Sequence, residues 1–133
     1  MIDPNLSYDP IFKQGECGFI SRLYDELTMA QISFTNGETA EYATESLWML
    51  APGDLIAERL RAGDVHLPED EQANLFQIHM LDMTGLPGYR MRALQWATES
   101  PAIFNASVLT VAYWIDNFYD PDRGSGRGPV TGR

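Results

Sequence analysis

The run Pro101–Tyr119, PAIFNASVLTVAYWIDNFY, constrains the fold more than any other stretch of this chain. It is the most apolar segment, and a segment that is apolar nearly all round has to be covered by the rest of the molecule. Ser100-Pro101 breaks whatever precedes it and sets up a helix start. The run therefore predicts a buried C-terminal helix at the centre of the fold. Ala102, Ala106 and Thr110 are spaced by four and predict a strip of small residues along which a neighbouring helix packs closely. The 19 residues are near the minimum for a bilayer span. Asn105, Ser107, Thr110, Asp116 and Asn117 interrupt them, so a core helix of a soluble domain is the expectation and no membrane is expected as a partner. The β-branched Val108, Thr110 and Val111 leave a strand open, but the length favours a helix.

The preceding chain reads as helices that wrap this one. Between Cys17 and Phe34 the apolar residues Phe19, Ile20, Leu23, Tyr24, Leu27, Ala30 and Phe34 recur at steps of three and four, the signature of one helical face. Asn36-Gly37 is a hairpin signal. A two-residue hairpin there, however, sets Phe34 opposite Thr39 and Ile32 opposite Glu41, mixing core and polar residues on one face. The helical reading ends one helix at Asn36-Gly37 and starts another over 38–51, with Ala40, Ala43, Leu47 and Leu50 inward. A short β excursion over 31–42 stays open. Further helices follow: 55–62 after Pro52-Gly53, one opening at Pro68 and running through Leu75, Phe76, Ile78, Met80 and Met83, and one over 89–99. The fourth is apolar over a wide arc and predicts a well-buried helix. The fold class expected is all-α, a bundle of five to six helices around the C-terminal one. The core predicted is Leu23, Leu27, Leu47, Leu50, Phe76, Leu94, Ala106, Leu109 and Trp114. Residues 1–15 read as an extended arm, 16–120 as the helical domain and 121–133 as a flexible Gly/Arg tail.

Charge narrows the class of partner. Nineteen acids face nine basic residues, a formal net of -10, and Lys13 is the only lysine. Such a chain repels nucleic acid and anionic membrane at long range and attracts basic protein surfaces. Direct nucleic-acid binding is not expected. Between Glu38 and Asp82 ten acids face only Arg59 and Arg61. On helices, acids at steps of three and four stand about 4.5–6 Å apart along the axis, close to phosphate spacing on one strand. Glu38, Glu41, Glu45, Glu69, Asp70 and Glu71 are the candidate partner-binding residues of this acidic face, which imitates a nucleic-acid backbone. A solvated outer face accounts for the same residues.

Catalytic and metal chemistry finds little support. His79 and Asp82 are three apart on a helix, and His66 lies near Asp64 and Glu69, but neither set has the spacing of a zinc or di-iron site. Asp120-Pro121-Asp122 opens like a calcium loop and lacks the later glutamate. Cys17 with either histidine is a nucleophile–base pair without spacing information. No cofactor, metal site or catalytic residue is expected. A single cysteine fits a reducing compartment, and the N-terminus lacks the basic and apolar regions of a secretory signal, so a cytoplasmic location is expected. These readings point to a non-catalytic acidic interaction module: an adaptor, assembly factor or inhibitor, in its sharpest form an antagonist of a nucleic-acid-binding protein. The alternatives are a structural or accessory subunit of a larger assembly, with homo-oligomerisation in scope, and third a small enzyme.

Overall fold

The computed structural model describes residues 1–119, so the expected tail at 121–133 and the loop beginning at Asp120 lie outside the described residues. The architecture is mixed α/β with two antiparallel sheets and five helices among the described residues, which corrects the expected all-α bundle. Two compact units divide the chain: Met1–Trp48 with the residues from Thr110 onward, and Met49–Leu109.

In the first unit β1 (Phe19–Tyr24), β2 (Met29–Ser33) and β3 (Thr39–Ala43) form a three-stranded antiparallel sheet in sequence order. This replaces the helices expected over 17–34 and 38–51. The register settles why. Ile32 pairs with Ala40 and Ala30 with Tyr42, one residue away from the pairing that a two-residue loop would impose. The loop is longer: the Phe34 N–H donates to the Glu38 carbonyl at 2.8 Å. A one-residue slip turns every side chain to the other face, and in the observed register apolar residues meet apolar ones. Ala30, Ile32, Phe34 and Tyr42 are buried on one face, while Thr39 and Glu41 are exposed on the other. The β1–β2 turn holds Asp25, Glu26 and Leu27 at φ 52, 55 and 70.

Residues 1–15, expected as an arm, are tied to this unit. The Ile2 N–H donates to the Glu16 carbonyl, and Ile2 bridges to Leu47, both side chains being buried. Asp9 is buried too. Its carboxylate accepts from the Tyr42 hydroxyl at 2.8 Å and from the Ile11 and Lys13 backbone N–H groups. A 3-10 turn (Thr44–Ser46) follows β3. α5 (Val111–Phe118) also belongs to this unit, capped by the Thr110 hydroxyl, which accepts from the Tyr113 N–H at 3.0 Å.

The second unit holds α1 (Gly53–Arg61), α2 (Glu69–Met83), α3 (Pro87–Ala97) and α4 (Pro101–Ser107). Their inward residues, among them Ile56, Leu75, Ile78, Ala93, Ala97, Ile103 and Ala106, build one apolar cluster with Leu67 from the α1–α2 connection. β4 (Trp48–Leu50) and β5 (Val108–Thr110) pair in a two-stranded sheet where the chain passes from the first unit to the second and back.

The expected central helix over 101–119 is thus three elements: α4, β5 and α5. Val108 and Thr110 are β-branched and favour extended backbone. Arg59 caps the end of α4, donating to the carbonyls of Asn105 and Ala106 at 3.2 Å each, which otherwise lack helical partners. Ala106 is fully buried and Ala102 half-buried on α4, whereas Thr110 lies past the helix end and does not continue a strip with them. Among the described residues no helix is long and apolar enough to cross a membrane.

Candidate protein-interaction site

Helix α2 carries more apolar side chains than its unit covers. Leu75 and Ile78 point into the cluster, with Ile78 only 1% exposed. Phe76, Met80 and Met83 follow each other at steps of four and three, so they share the opposite face. They are 64%, 53% and 67% exposed. Ala73, three residues before Phe76, is exposed on the same face. The stripe from Ala73 to Met83 runs about 15 Å along the helix axis. Leu86 and Tyr89, just beyond the end of α2, are exposed as well. The expectation that Phe76 belongs to the core is therefore corrected. The wide apolar arc is two faces, of which one is covered.

The helix is held firmly enough to present that face. Its first turn carries Glu69, Asp70 and Glu71, which suit the positive pole of the helix. Glu69 and Asp70 are exposed. The half-buried Glu71 is engaged within the unit, accepting hydrogen bonds from the Ser100 hydroxyl and the Asn74 amide. The Gln72 amide donates to the Leu67 carbonyl at 2.7 Å. At the other end Arg90 reaches the Asp82 carboxylate at 3.4 Å. The His79 ring packs directly on Gly53: a Cβ there would lie 2.2 Å from the ring.

The other sequence-predicted acids do not form a helical face. Glu38 sits in the β2–β3 loop, Glu41 on β3 and Glu45 in the 3-10 turn. The 4.5–6 Å axial spacing expected for imitation of a phosphate backbone is therefore absent at these three positions. Glu38 is also paired: Lys13 Nζ lies 2.7 Å from its carboxylate, and Asn36 donates to it. The hydrogen bond from Lys13, then that from Asn36, holds the Glu38 carboxyl below its ordinary range, and Glu38 in turn raises Lys13. Of the remaining expected core residues, Leu47, Leu94 and Ala106 are buried, while Leu23, Leu27, Leu50, Leu109 and Trp114 are half-buried.

Among the described residues no group of three or more His, Cys, Asp or Glu could hold a metal ion. Burial pushes the half-buried Cys17 thiol above its ordinary pKa, against the nearby amino terminus, so little of the nucleophilic thiolate is present near neutral pH. His66 borders a depression of about 580 Å³ with Arg61 and Gln72, and no carboxylate lines it. No protein-family model, curated protein or solved structure matches the chain significantly.

Proposed function

We propose that the protein is a non-catalytic interaction module that docks a protein partner on the outward face of α2. The observation that carries this reading is the stripe of Phe76, Met80 and Met83, exposed on a helix whose other face is buried. Exposed apolar residues are ordinary when scattered and mark interaction surfaces when contiguous. Methionine adapts to irregular partner surfaces, and an amphipathic partner helix reads such a stripe through anchors spaced like its own turns. Covering three large side chains contributes on the order of 5 kcal/mol before the costs of association. Glu69 and Asp70, exposed at one end of the stripe, and the net charge of -10 favour a partner with basic residues around its apolar contact. The lone thiol suits a reducing compartment, and the reading places the protein in the cytoplasm.

The test is affinity capture from the organism's own lysate with mass-spectrometric identification. The captured partner is expected to survive Glu41→Gln with Glu45→Gln, and to be lost when Phe76→Ser and Met83→Ser are combined. Circular dichroism of the double variant should match the unaltered protein. Retention of the partner by the folded double variant would rule the reading out.

A further inference from the structure

The three-stranded sheet has two outer edges, and they are protected unequally. Along β1 the register shifts between Ile20 and Arg22, and the Ser21 hydroxyl at the irregularity bonds to the Gln31 carbonyl at 3.1 Å. Arg22 adds a charge there, stacked 4.6 Å over the Tyr24 ring. Bulges and edge charges are the devices by which strands avoid pairing with other chains.

β3 has no such bulge. Thr39–Ala43 runs in unbroken register against Met29–Ser33, contains neither proline nor lysine, and carries a single charge, Glu41. The Phe34 N–H donates to the Glu38 carbonyl, and the Thr44 N–H donates to the Thr28 carbonyl. Hydrogen-bonded pairs alternate along an antiparallel ladder, so on β3 they fall at Ala40 and Tyr42. The N–H and C=O groups of Thr39, Glu41 and Ala43 then point away from β2, and no described strand pairs with that edge.

Beside this edge lies a cleft of about 460 Å³, with Leu6, Tyr8 and Ile11 on one side and Ala40, Glu41 and Ala43 on the other. Its walls are tied together by the buried Asp9–Tyr42 hydrogen bond. A regular row of backbone donors and acceptors next to a preformed, largely apolar cleft is what strand addition uses. The backbone supplies affinity, and the cleft selects a side chain.

We propose that β3 is a strand-addition site. It takes an extended segment of a partner protein that sets one apolar side chain into the cleft and a lysine or arginine opposite Glu41. Charge decides between this occupant and a second copy of the chain. The antiparallel register that pairs all of β3 with its equivalent opposes Glu41 to Glu41, and like charges directly opposite are destabilising. A basic segment turns that repulsion into attraction. The inference is independent of the α2 face.

Random peptides displayed as a library and selected on the full chain test it. Enriched peptides are expected to alternate apolar and polar residues and to carry a lysine or arginine. Bound peptides should shift the backbone amide resonances of Thr39, Glu41 and Ala43 together with those of Leu6 and Ile11. Glu41→Pro removes an outward-facing N–H and no bond to β2, and should weaken the selected peptides by at least about tenfold. Glu41→Lys, which leaves the backbone untouched, should exchange the preference for basic peptides for acidic ones. Failure to enrich any peptide, equal binding to Glu41→Pro and the unaltered chain, or shifts confined to α2 would each overturn the proposal. So would a dimer in sedimentation that Glu41→Pro dissociates.

Discussion

The hairpin of β2 and β3 and helix α2 dispose of their apolar residues in opposite ways. Along β2 and β3 every second residue turns inward, so Ala30, Ile32 and Tyr42 are buried while Thr39 and Glu41 face out. Across β2 and β3 the one apolar face is covered, whereas Phe19 and Ile20 on β1 are exposed. α2 has two apolar faces and only one, that of Leu75 and Ile78, is covered. Acidic residues decorate both regions and distinguish neither. A surplus of exposed apolar side chains at helical spacing, rather than a surplus of charge, distinguishes α2 from β2 and β3.

Truncating the two faces of α2 one at a time separates the covered face from the open one. Ile78→Ala should lower the unfolding free energy by about 2–5 kcal/mol, since it removes a fully buried side chain and leaves a cavity. Phe76→Ala should change it by no more than about 0.5 kcal/mol, as an exposed residue outside the packed core. Urea denaturation of both variants reads the difference directly. If Phe76→Ala costs as much as Ile78→Ala, the outward face is covered by the chain itself and the interaction site disappears.

In the sheet unit the corresponding buried feature is polar, and its signature is a pH dependence. Burial works against the Asp9 carboxylate, but the Tyr42 hydroxyl and the Ile11 and Lys13 N–H groups outweigh it and lower its pKa below the ordinary 3.8. Burial, followed by the hydrogen bond to Asp9, raises the Tyr42 hydroxyl above the ordinary 10.0. A lowered acid contributes stability that is whole above its unfolded pKa and lost as pH falls through the folded one. A raised phenol contributes stability that is whole below its unfolded pKa and lost as pH rises through the folded one. The pair therefore supports the fold fully between about pH 4 and pH 10 and less on either side. Tyr42→Phe should cost about 1.5–3 kcal/mol at pH 7, the range for a hydrogen bond to a charged group, and should flatten the alkaline limb. Chemical denaturation across pH checks both.

Close packing in the same unit gives the next effect. A Cβ at Gly18 would lie 2.6 Å from Ile32 Cγ2 and 2.9 Å from the Ser33 carbonyl oxygen. Backbone has to yield, so Gly18→Ala should destabilise by about 1–3 kcal/mol. Gly88→Ala is the control within the helical unit, because nothing lies within 4 Å of its Cβ position; a glycine inside a helix is improved by alanine by about 0.5–1 kcal/mol. The two substitutions should move thermal unfolding in opposite directions.

These particulars explain how much of the molecule could be read from its letters. The helices of the second unit announce themselves: Pro52-Gly53, Pro68 with three acids, and Ser100-Pro101 lie at or beside the starts of α1, α2 and α4. α2 shows why periodicity alone misplaces a residue. Phe76 and Ile78 both belong to the apolar arc, and only tertiary packing decides which side is covered. In the first unit Phe19, Leu23 and Leu27 satisfy a helical spacing that the strands override, because the run also alternates over Ala30, Ile32 and Phe34. The β2–β3 hairpin was visible in Asn36-Gly37 and fails as a two-residue loop by one residue of register. Glu38, Glu41 and Glu45 consequently share no helical face, and of the exposed stripe on α2 only Phe76 is among the residues whose spacing predicts a core position.

The β1–β2 turn conceals the remaining hairpin for a different reason. Asp25, Glu26 and Leu27 all adopt left-handed backbone, yet none is glycine or asparagine, the residues that normally advertise such a turn. Left-handed backbone costs a residue with a Cβ roughly 1–2 kcal/mol, while glycine instead pays about 0.5–1 kcal/mol in lost freedom. Glu26 is exposed, so removing its side chain empties no packed space. Glu26→Gly should therefore stabilise the protein by about 0.5–1 kcal/mol and raise the thermal midpoint. The same change at Glu71, inside α2 and bonded to Ser100, should do the reverse, because there the backbone is right-handed and the carboxylate has partners. If both substitutions destabilise alike, the left-handed turn is not carrying strain, and the hairpin is held by its strands alone.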